Sequence, residues 1–216
     1  MVSKFHTEIA SLKEDVLAMG HLAQGMLAQS MVALKTQDVV LAETIDEKKL
    51  KLADYDDGIE QKCLRLIALN QPMAKYLRTI AASMRVVTSL YRIGRYGKDI
   101  AIVVPDLAGA PHIGNLVNLP HMGEIVDAMI TDVMVAFDRE DISVIADIQS
   151  REEVVDALRY SIFRESLTYM MEDPRNITRC TNYVMIARYL ERCGDHACRI
   201  AEKVHYMVTG DRIEIR

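Results

Sequence analysis

Apolar residues recur every three or four positions along most of the chain, the spacing that places them on one face of an α-helix. This pattern breaks near the middle, where three prolines and three glycines fall between Pro105 and Gly123. Each side of the break is long enough for three helices. The predicted helices are 3–35, 39–69 and 72–104 in the first half, and 121–139, 142–171 and 174–209 in the second.

Residues suited to helix ends agree with these boundaries. The predicted N-caps are Asp38, Asp141 and Asp173, the predicted first-turn prolines are Pro72 and Pro174, and the predicted C-terminal stop is Gly210. No alternating pattern competes with the helical one, so the sequence predicts an all-α fold.

The third predicted helix of each half contains a variant of one segment. Residues 90–101 read LYRIGRYGKDIA and residues 190–201 read LERCGDHACRIA, so that Leu, Arg, Gly, Ile and Ala recur about 100 residues apart. The sequence therefore predicts tandem three-helix bundles, one over residues 1–108 and one over residues 115–216. The shared Gly94 and Gly194 fall on the apolar stripe, which predicts close helix–helix contact at both positions.

Composition narrows the possible functions. The 216 residues include 26 Lys and Arg against 31 Asp and Glu, for a net charge of −5, which excludes the broad basic surface typical of nucleic-acid binding. No apolar stretch is long enough to span a bilayer. The first ten residues include Lys4, His6 and Glu8, where a signal peptide would have an apolar run, so we expect a cytoplasmic protein. The four cysteines lack metal-site spacing and are expected to be buried thiols.

Two acidic pairs in the second half are the candidate chemistry. Glu191 and Asp195 lie one turn apart on a flank of the last helix, and Glu152 and Asp156 have the same spacing on the preceding helix. If the two flanks meet, four carboxylates converge, which is costly without a cation. Oxygen ligands suit Mg, Ca, Mn or oxidised iron, and zinc is also possible.

The acidic pairs also have a simpler interpretation. Carboxylates at this spacing are common on solvated helix faces, and Glu191 could pair with Arg188 or Arg192. Sequence alone leaves both interpretations open.

Other possible metal ligands are weaker candidates. Glu202 and His205 have the Glu-x-x-His spacing of di-iron bundles, but those need a second such motif. Cys193 and His196 could bind zinc, although Cys193 points into the core and no further ligand pair is evident. His196 lies about 100° around the helix from Asp195, which predicts that it is a poor co-ligand.

The last helix also carries a family resemblance. Residues 190–202, LERCGDHACRIAE, preceded by YMMEDPRNI at 169–177, resemble the signature of the PhoU phosphate-signalling regulators. Residues 63–72, CLRLIALNQP, resemble the matching part of that family's first repeat. The resemblance covers nearly the whole chain. It implies a cytoplasmic, often dimeric, non-enzymatic protein that couples the ATPase subunit of a phosphate ABC transporter to a sensor histidine kinase or to transport itself.

The resemblance also implies metal ligands, because the family's paired E(D)xxxD motifs correspond to Glu152, Asp156, Glu191 and Asp195. The metal itself stays open among Fe, Zn, Mn, Ni and Mg.

The first half departs from this motif. The positions of Glu191 and Asp195 are taken by Tyr91 and Arg95. The positions of Glu152 and Asp156 align with Lys49 and Ala53, although a one-residue shift in the alignment would bring in Asp54. We therefore expect one metal site per chain, in the second bundle only.

Three functions of different classes follow. The favoured one is a regulatory adaptor that represses the phosphate-starvation response through protein partners. The second is a metal-storing or metal-dependent helical-bundle enzyme, against which the single Glu-x-x-His and the lack of a nucleophile count. The third is a structural scaffold in which the acidic pairs are solvated.

Overall fold

Long α-helices dominate the computed structural model, which describes residues 2–215. The helices are α1 (Val2–Thr36), α2 (Val39–Asn70), α3 (Ala74–Leu107), α4 (Leu119–Arg139), α5 (Ile148–Glu172) and α6 (Ile177–Thr209). Single 3-10 turns lie at Gly114–Leu116, Ile142–Ile145 and Pro174–Asn176, and the described residues contain no strand. The all-α prediction is confirmed. None of these helices is long and apolar enough to cross a membrane.

Several predicted helix ends are confirmed by the capping geometry. The Asp38 carboxylate accepts a hydrogen bond from the Leu41 backbone N–H over 2.9 Å at the start of α2. Gly210, with φ at 88°, ends α6 in the left-handed conformation that glycine adopts without strain.

The start of α3 differs from the prediction. Met73, in an extended conformation, is its N-cap, so Pro72 lies before the helix rather than in its first turn. The helix also continues through Pro105 to Leu107, because a proline so close to the helix end removes only one backbone hydrogen bond.

Each helix of the second half also starts at a different residue from the predicted one. Helix α4 begins at Leu119, two residues before the predicted start. The predicted helix 142–171 is interrupted, because Asp141 caps a separate 3-10 turn by accepting from the Ser143 N–H before α5 begins. Asp173 caps another 3-10 turn in the same way, so Pro174 opens that turn and not α6.

Buried positions repeat between the halves with constant spacing. In α5, Ile148, Val155, Ile162 and Ser166 each lie 103 residues after the buried Ile45, Leu52, Ile59 and Cys63 of α2. The buried positions of α6 follow those of α3 by 100 residues, from Ile80 and Cys180 to Leu107 and Met207. This register pairs Glu152 with Lys49 and Asp156 with Ala53, without a one-residue shift.

The halves share one hydrophobic core. In each half the third helix packs against the other two, and α3 also packs against α6. Buried residues from all six helices form a continuous cluster, and the Tyr96 and Tyr189 rings stack across the junction with their centroids 5.8 Å apart. All four cysteines are buried and free, as predicted.

Close backbone approach occurs at a glycine that the sequence pattern did not single out. A Cβ added at Gly97 would lie 2.7 Å from the backbone nitrogen of Leu27 in α1. At Gly194 the nearest atom would be Cγ1 of Val155, at an ordinary contact distance of 3.5 Å. At Gly94 the obstacle is the side chain of Leu52, 2.5 Å away. The predicted close contact therefore needs glycine least at Gly194, where alanine would fit.

Candidate metal centre

Helices α5 and α6 pack against each other, and their packing brings the four predicted ligands near one another. Val155 of α5 packs over Gly194 of α6. On α5, Glu152 and Asp156 lie beside Val155 in sequence and one turn apart. On α6, Glu191 and Asp195 flank Gly194 with the same spacing. The helix pairing thus juxtaposes the two acidic pairs.

The four carboxylates are close enough for their negative charges to affect the pKa of Glu152 and of Glu191. Burial raises the pKa of Glu152, and the other three carboxylates of the group raise it further. Burial also raises the pKa of Glu191, with a second contribution from Asp195, and Glu191 is only 8% exposed. Each shift means that the ionised form is disfavoured where like charges gather away from water.

Arginines compensate part of this charge. Arg188 donates from Nη1 to Glu191 Oε1 over 2.7 Å, and Arg192 donates from Nη1 to Asp195 Oδ2 over the same distance. The pairing of Glu191 with Arg188 or Arg192, left open by the sequence, is therefore present.

A third arginine comes from the neighbouring helix. Nε of Arg159 on α5 lies 3.8 Å from Oε1 of Glu191. Arg159 was not among the residues singled out from the sequence, although its position three residues after Asp156 places it on the same flank of α5.

Two carboxylate oxygens of the four-carboxylate group are buried without a hydrogen-bond partner, Oδ1 of Asp156 and Oε2 of Glu191, and Oδ1 of Asp46 in the first half is a third such oxygen. Buried acceptors of this kind are costly and suit a hard cation, so the donor chemistry fits a metal ion. Yet nowhere in residues 2–215 do three or more Asp, Glu, His or Cys side chains stand in coordinating positions. Binding of a metal ion therefore requires some of these side chains to rotate. Glu191 and Asp195 would also have to give up the hydrogen bonds that they accept from Arg188 and Arg192.

His196 lines an open cavity of about 580 Å³ that Glu152 and Asp195 also line. The lining comes from α3, α5, α6 and the C-terminal segment. Among the described residues His196 does not stand in a coordinating position with two other possible ligands, in line with the expectation that it is a poor co-ligand. Burial and then Arg199 lower the pKa of His196 to about 4, which keeps its ring neutral, and its Nδ1 is buried without a partner.

The weaker candidates have other roles in the structure. Burial raises the pKa of the Cys193 thiol, which stays a neutral core residue. Glu202 accepts a hydrogen bond from the Ile215 N–H over 3.1 Å, and Nδ1 of His205 lies 3.2 Å from the Asp211 carbonyl oxygen. Both therefore hold the C-terminal segment against α6.

The first half carries a neutralised counterpart of the acidic group. Lys49, which replaces Glu152, donates to Asp46 over 2.8 Å, and this hydrogen bond holds the pKa of Asp46 below its usual value. Arg95, which replaces Asp195, adds to the same effect. Asp54 is exposed and lies outside the buried register. Positive side chains therefore occupy two of the four positions where the second half has carboxylates, and Ala53 and Tyr91 occupy the other two.

Comparison with known proteins agrees with this architecture. The family model described as the PhoU domain matches residues 16–104 and again residues 119–204. A relative from Rhizobium meliloti (strain 1021), the phosphate-specific transport system accessory protein PhoU homolog, is 39% identical over 211 residues, covering 97% of this chain and 89% of that protein. A homolog of the same description from Caulobacter vibrioides is 37% identical over 213 residues, covering 98% and 93%.

Solved structures share the fold. The crystal structure of PhoU from Pseudomonas aeruginosa superimposes with a TM-score of 0.91 at 34% identity, over 96% of this chain and 100% of that one. The phosphate transport system regulatory protein PhoU from Streptococcus pneumoniae gives 0.89 at 28% identity, over 97% and 99%. The domain model matches the chain twice, and the alignments cover nearly the full length of this chain and of each relative. The chain therefore belongs to the PhoU family.

Proposed function

We propose that this chain is a cytoplasmic regulator of phosphate uptake and phosphate-starvation signalling. It acts as a cation-binding adaptor on the ATPase subunit of a phosphate ABC transporter, on a sensor histidine kinase, or on both. The names of its relatives support the link to phosphate transport. The family consists of regulatory accessory proteins, so the chain is not an enzyme.

The observation that carries cation binding is the convergence of four carboxylates from two helices, with two buried oxygens lacking hydrogen bonds. Glu152 and Asp156 would hold the ion from α5, and Glu191 and Asp195 would hold it from α6. A bound cation supplies positive charge that cancels the mutual repulsion of these groups. The carboxylates then tie α5 to α6, so that occupancy stabilises the second half.

Cation binding is testable on metal-free protein. Titration with Mg²⁺, Mn²⁺, Ni²⁺, Zn²⁺ and Fe²⁺, followed by calorimetry and thermal unfolding, should show one site per chain and a raised Tm. At 100 times Kd the gain in unfolding free energy should be about 2.7 kcal/mol. Asp156→Asn and Asp195→Asn should each weaken binding at least tenfold.

Glu153→Gln is the matched control for these substitutions, because Glu153 lies next to Glu152 on α5 but is exposed. It should bind as the unmodified protein does. Equal metal content in all variants, or binding mainly through the first half, would refute this assignment.

The adaptor role requires a docking surface, and α5 offers one. Tyr160, Phe163, Leu167 and Met171 are exposed at helical spacing on one side of this helix. In the repeat register the same positions of α2 hold Asp57, Glu60, Leu64 and Ala68. The second half thus exposes a strip of four apolar side chains, where the first half has two carboxylates followed by two apolar residues. Such strips mark binding surfaces for protein partners.

A pull-down from cells grown with and without phosphate tests the adaptor role. The tagged chain should recover the same transporter ATPase or kinase in an amount that depends on phosphate. A Phe163→Ser and Leu167→Ser double variant should lose the partner, whereas Leu64→Ser on α2 should keep it. Recovery of no partner, or equal recovery by both variants, would overturn the proposed surface.

We also propose that the chain forms a homodimer. Light scattering on the same variants separates the two uses of the strip. A dimer that survives the double variant places the strip at a partner, and one that dissociates places it between copies.

A further inference from the structure

Three arginines contact the four-carboxylate group. Arg188 and Arg192 hold Glu191 and Asp195 through 2.7 Å hydrogen bonds, and Nε of Arg192 also lies 3.6 Å from Oε2 of Glu191. Arg159 contacts Glu191 at 3.8 Å. The positive charges of three guanidinium groups therefore offset part of the negative charge of four carboxylates. All three guanidinium groups contact Glu191 or Asp195, the two proposed ligands on α6.

An arginine and a metal ion compete for the same carboxylate lone pairs. A guanidinium that donates to a carboxylate oxygen blocks that oxygen for coordination, and its positive charge repels an incoming cation. Without any positive charge, however, Glu191 would be a buried carboxylate beside another carboxylate. The arginines therefore stabilise the metal-free protein and oppose metal binding.

The three arginines differ in their freedom to leave. The side chains of Arg188 and Arg192 are 41% and 37% exposed, so each can swing into water. That of Arg159 is 24% exposed and packs over the Tyr160 ring, with its guanidinium carbon 4.1 Å from the ring centroid. Its contact with Glu191 is also longer than a hydrogen bond.

We infer that Arg188 and Arg192 are an exchangeable latch: they neutralise Glu191 and Asp195 in the metal-free protein and leave these carboxylates when a cation binds. This inference rests on the proposed cation site and deepens it. The exchange moves two positive charges from the α5–α6 contact to the surface of α6, where both side chains are already partly exposed. Cation occupancy thereby changes the charge that α6 presents to a partner. Arg159 stays on Tyr160 in both states.

The test is a comparison of variants that remove the charge of an arginine but keep a polar side chain with an unbranched aliphatic stem. Arg188→Gln and Arg192→Gln should each bind Mn²⁺ three- to tenfold more tightly than the unmodified protein, because no guanidinium has to be displaced. The double variant should bind more tightly still. Arg164→Gln is the matched control, since Arg164 is exposed on α5 and has no salt bridge among the described residues. Its Kd for Mn²⁺ should not change.

Thermal unfolding is a second measurement, and it distinguishes an arginine that exchanges with the cation from one that has only a structural role. In chelator-treated protein, Arg192→Gln should lower Tm, because Glu191 and Asp195 lose their compensation. In saturating Mn²⁺ that deficit should disappear or reverse. A Tm deficit of equal size in both conditions would overturn the latch.

The latch and the cation site fail in different ways. Unchanged or weaker Mn²⁺ binding by both single variants, with binding by the unmodified protein intact, overturns the latch and leaves the site. If Mn²⁺, Zn²⁺ and Fe²⁺ all fail to bind any form of the protein, the cation site and the latch are both wrong.

Discussion

The hydroxyl of Tyr183 and Nδ1 of His112 lie 2.9 Å apart, and this hydrogen bond ties the segment between the two halves to helix α6. Nε2 of His112 donates to the Leu34 carbonyl over 2.8 Å, so Nδ1 must accept from the tyrosine. The same hydroxyl accepts from the Ile113 N–H over 3.2 Å. One tyrosine and one histidine thus connect α1, the connecting segment and α6.

Tyr183→Phe should destabilise the fold. Tyr183 is fully buried, so its loss leaves the Ile113 N–H and Nδ1 of His112 without their partner. We expect a loss of about 1–3 kcal/mol in unfolding free energy, measured by urea denaturation. Tyr189→Phe is the control, because Tyr189 stacks on Tyr96 and no described residue hydrogen-bonds to its hydroxyl. Equal losses in the two variants would show that the hydrogen bonds contribute nothing specific.

His112 should also make stability depend on pH. Burial lowers the pKa of His112, the bond to the Leu34 carbonyl partly opposes this, and Arg179 lowers it further. The unfolded chain then binds a proton more readily than the folded protein. Stability is full above the unfolded pKa of about 6.5 and is lost as pH falls through the lower folded value.

Urea unfolding across this pH range measures the effect. Loss of stability toward acid should be smaller in His112→Gln than in the unmodified protein. A residual slope is expected, because the pKa of His196 is also lowered, to about 4. Identical slopes in the two proteins would contradict the role of His112.

Two glycine substitutions should have opposite effects. Alanine at Gly97 would place Cβ 2.7 Å from the Leu27 backbone and force α1 and α3 apart, at a cost of about 1–3 kcal/mol. Alanine at Gly194 meets only ordinary contacts and gains helix propensity, so it should be neutral or stabilising by up to about 1 kcal/mol. Thermal unfolding of both variants compares these packing distances with the sequence pattern, which singled out Gly94 and Gly194 but not Gly97.

Glu152→Gln should stabilise the metal-free protein. Burial and four neighbouring carboxylates, the other three of the group and then Glu153, raise the pKa of Glu152, so ionisation at neutral pH opposes folding. A raised carboxyl pKa contributes stability at low pH that disappears as pH rises through the folded value. In chelator at pH 7 the variant should therefore melt higher, by up to about 1 kcal/mol for a partly exposed group.

The control for this prediction is Glu153→Gln, which should raise Tm less, because Glu153 is exposed and contributes least of the four carboxylates to the raised pKa of Glu152. In saturating Mn²⁺ the order should reverse, since the variant has lost a ligand. A variant that melts below the unmodified protein in chelator would show that Glu152 is already compensated.

The helical repeat of apolar residues was enough to predict the helices and the duplication, because burial periodicity is a local property. Helix starts such as Ala74, Ile148 and Ile177 were missed, since Asp141 and Asp173 cap short 3-10 turns as readily as α-helices. The four carboxylates were found because their spacing places each pair on one flank. His196 was expected to be a poor co-ligand from its angle around the helix, and no coordinating group among the described residues includes it.

The sequence by itself determined an all-α chain built from a duplicated unit, with an acidic group in the second half and Lys49 and Arg95 in its place in the first. Only the tertiary structure decided that the halves share one core, that Gly97 meets the backbone of α1, and that arginines from two helices hold the acidic group. The division has a physical reason. Periodicity and charge depend on neighbours along the chain, whereas close approach and desolvation depend on which helix packs opposite.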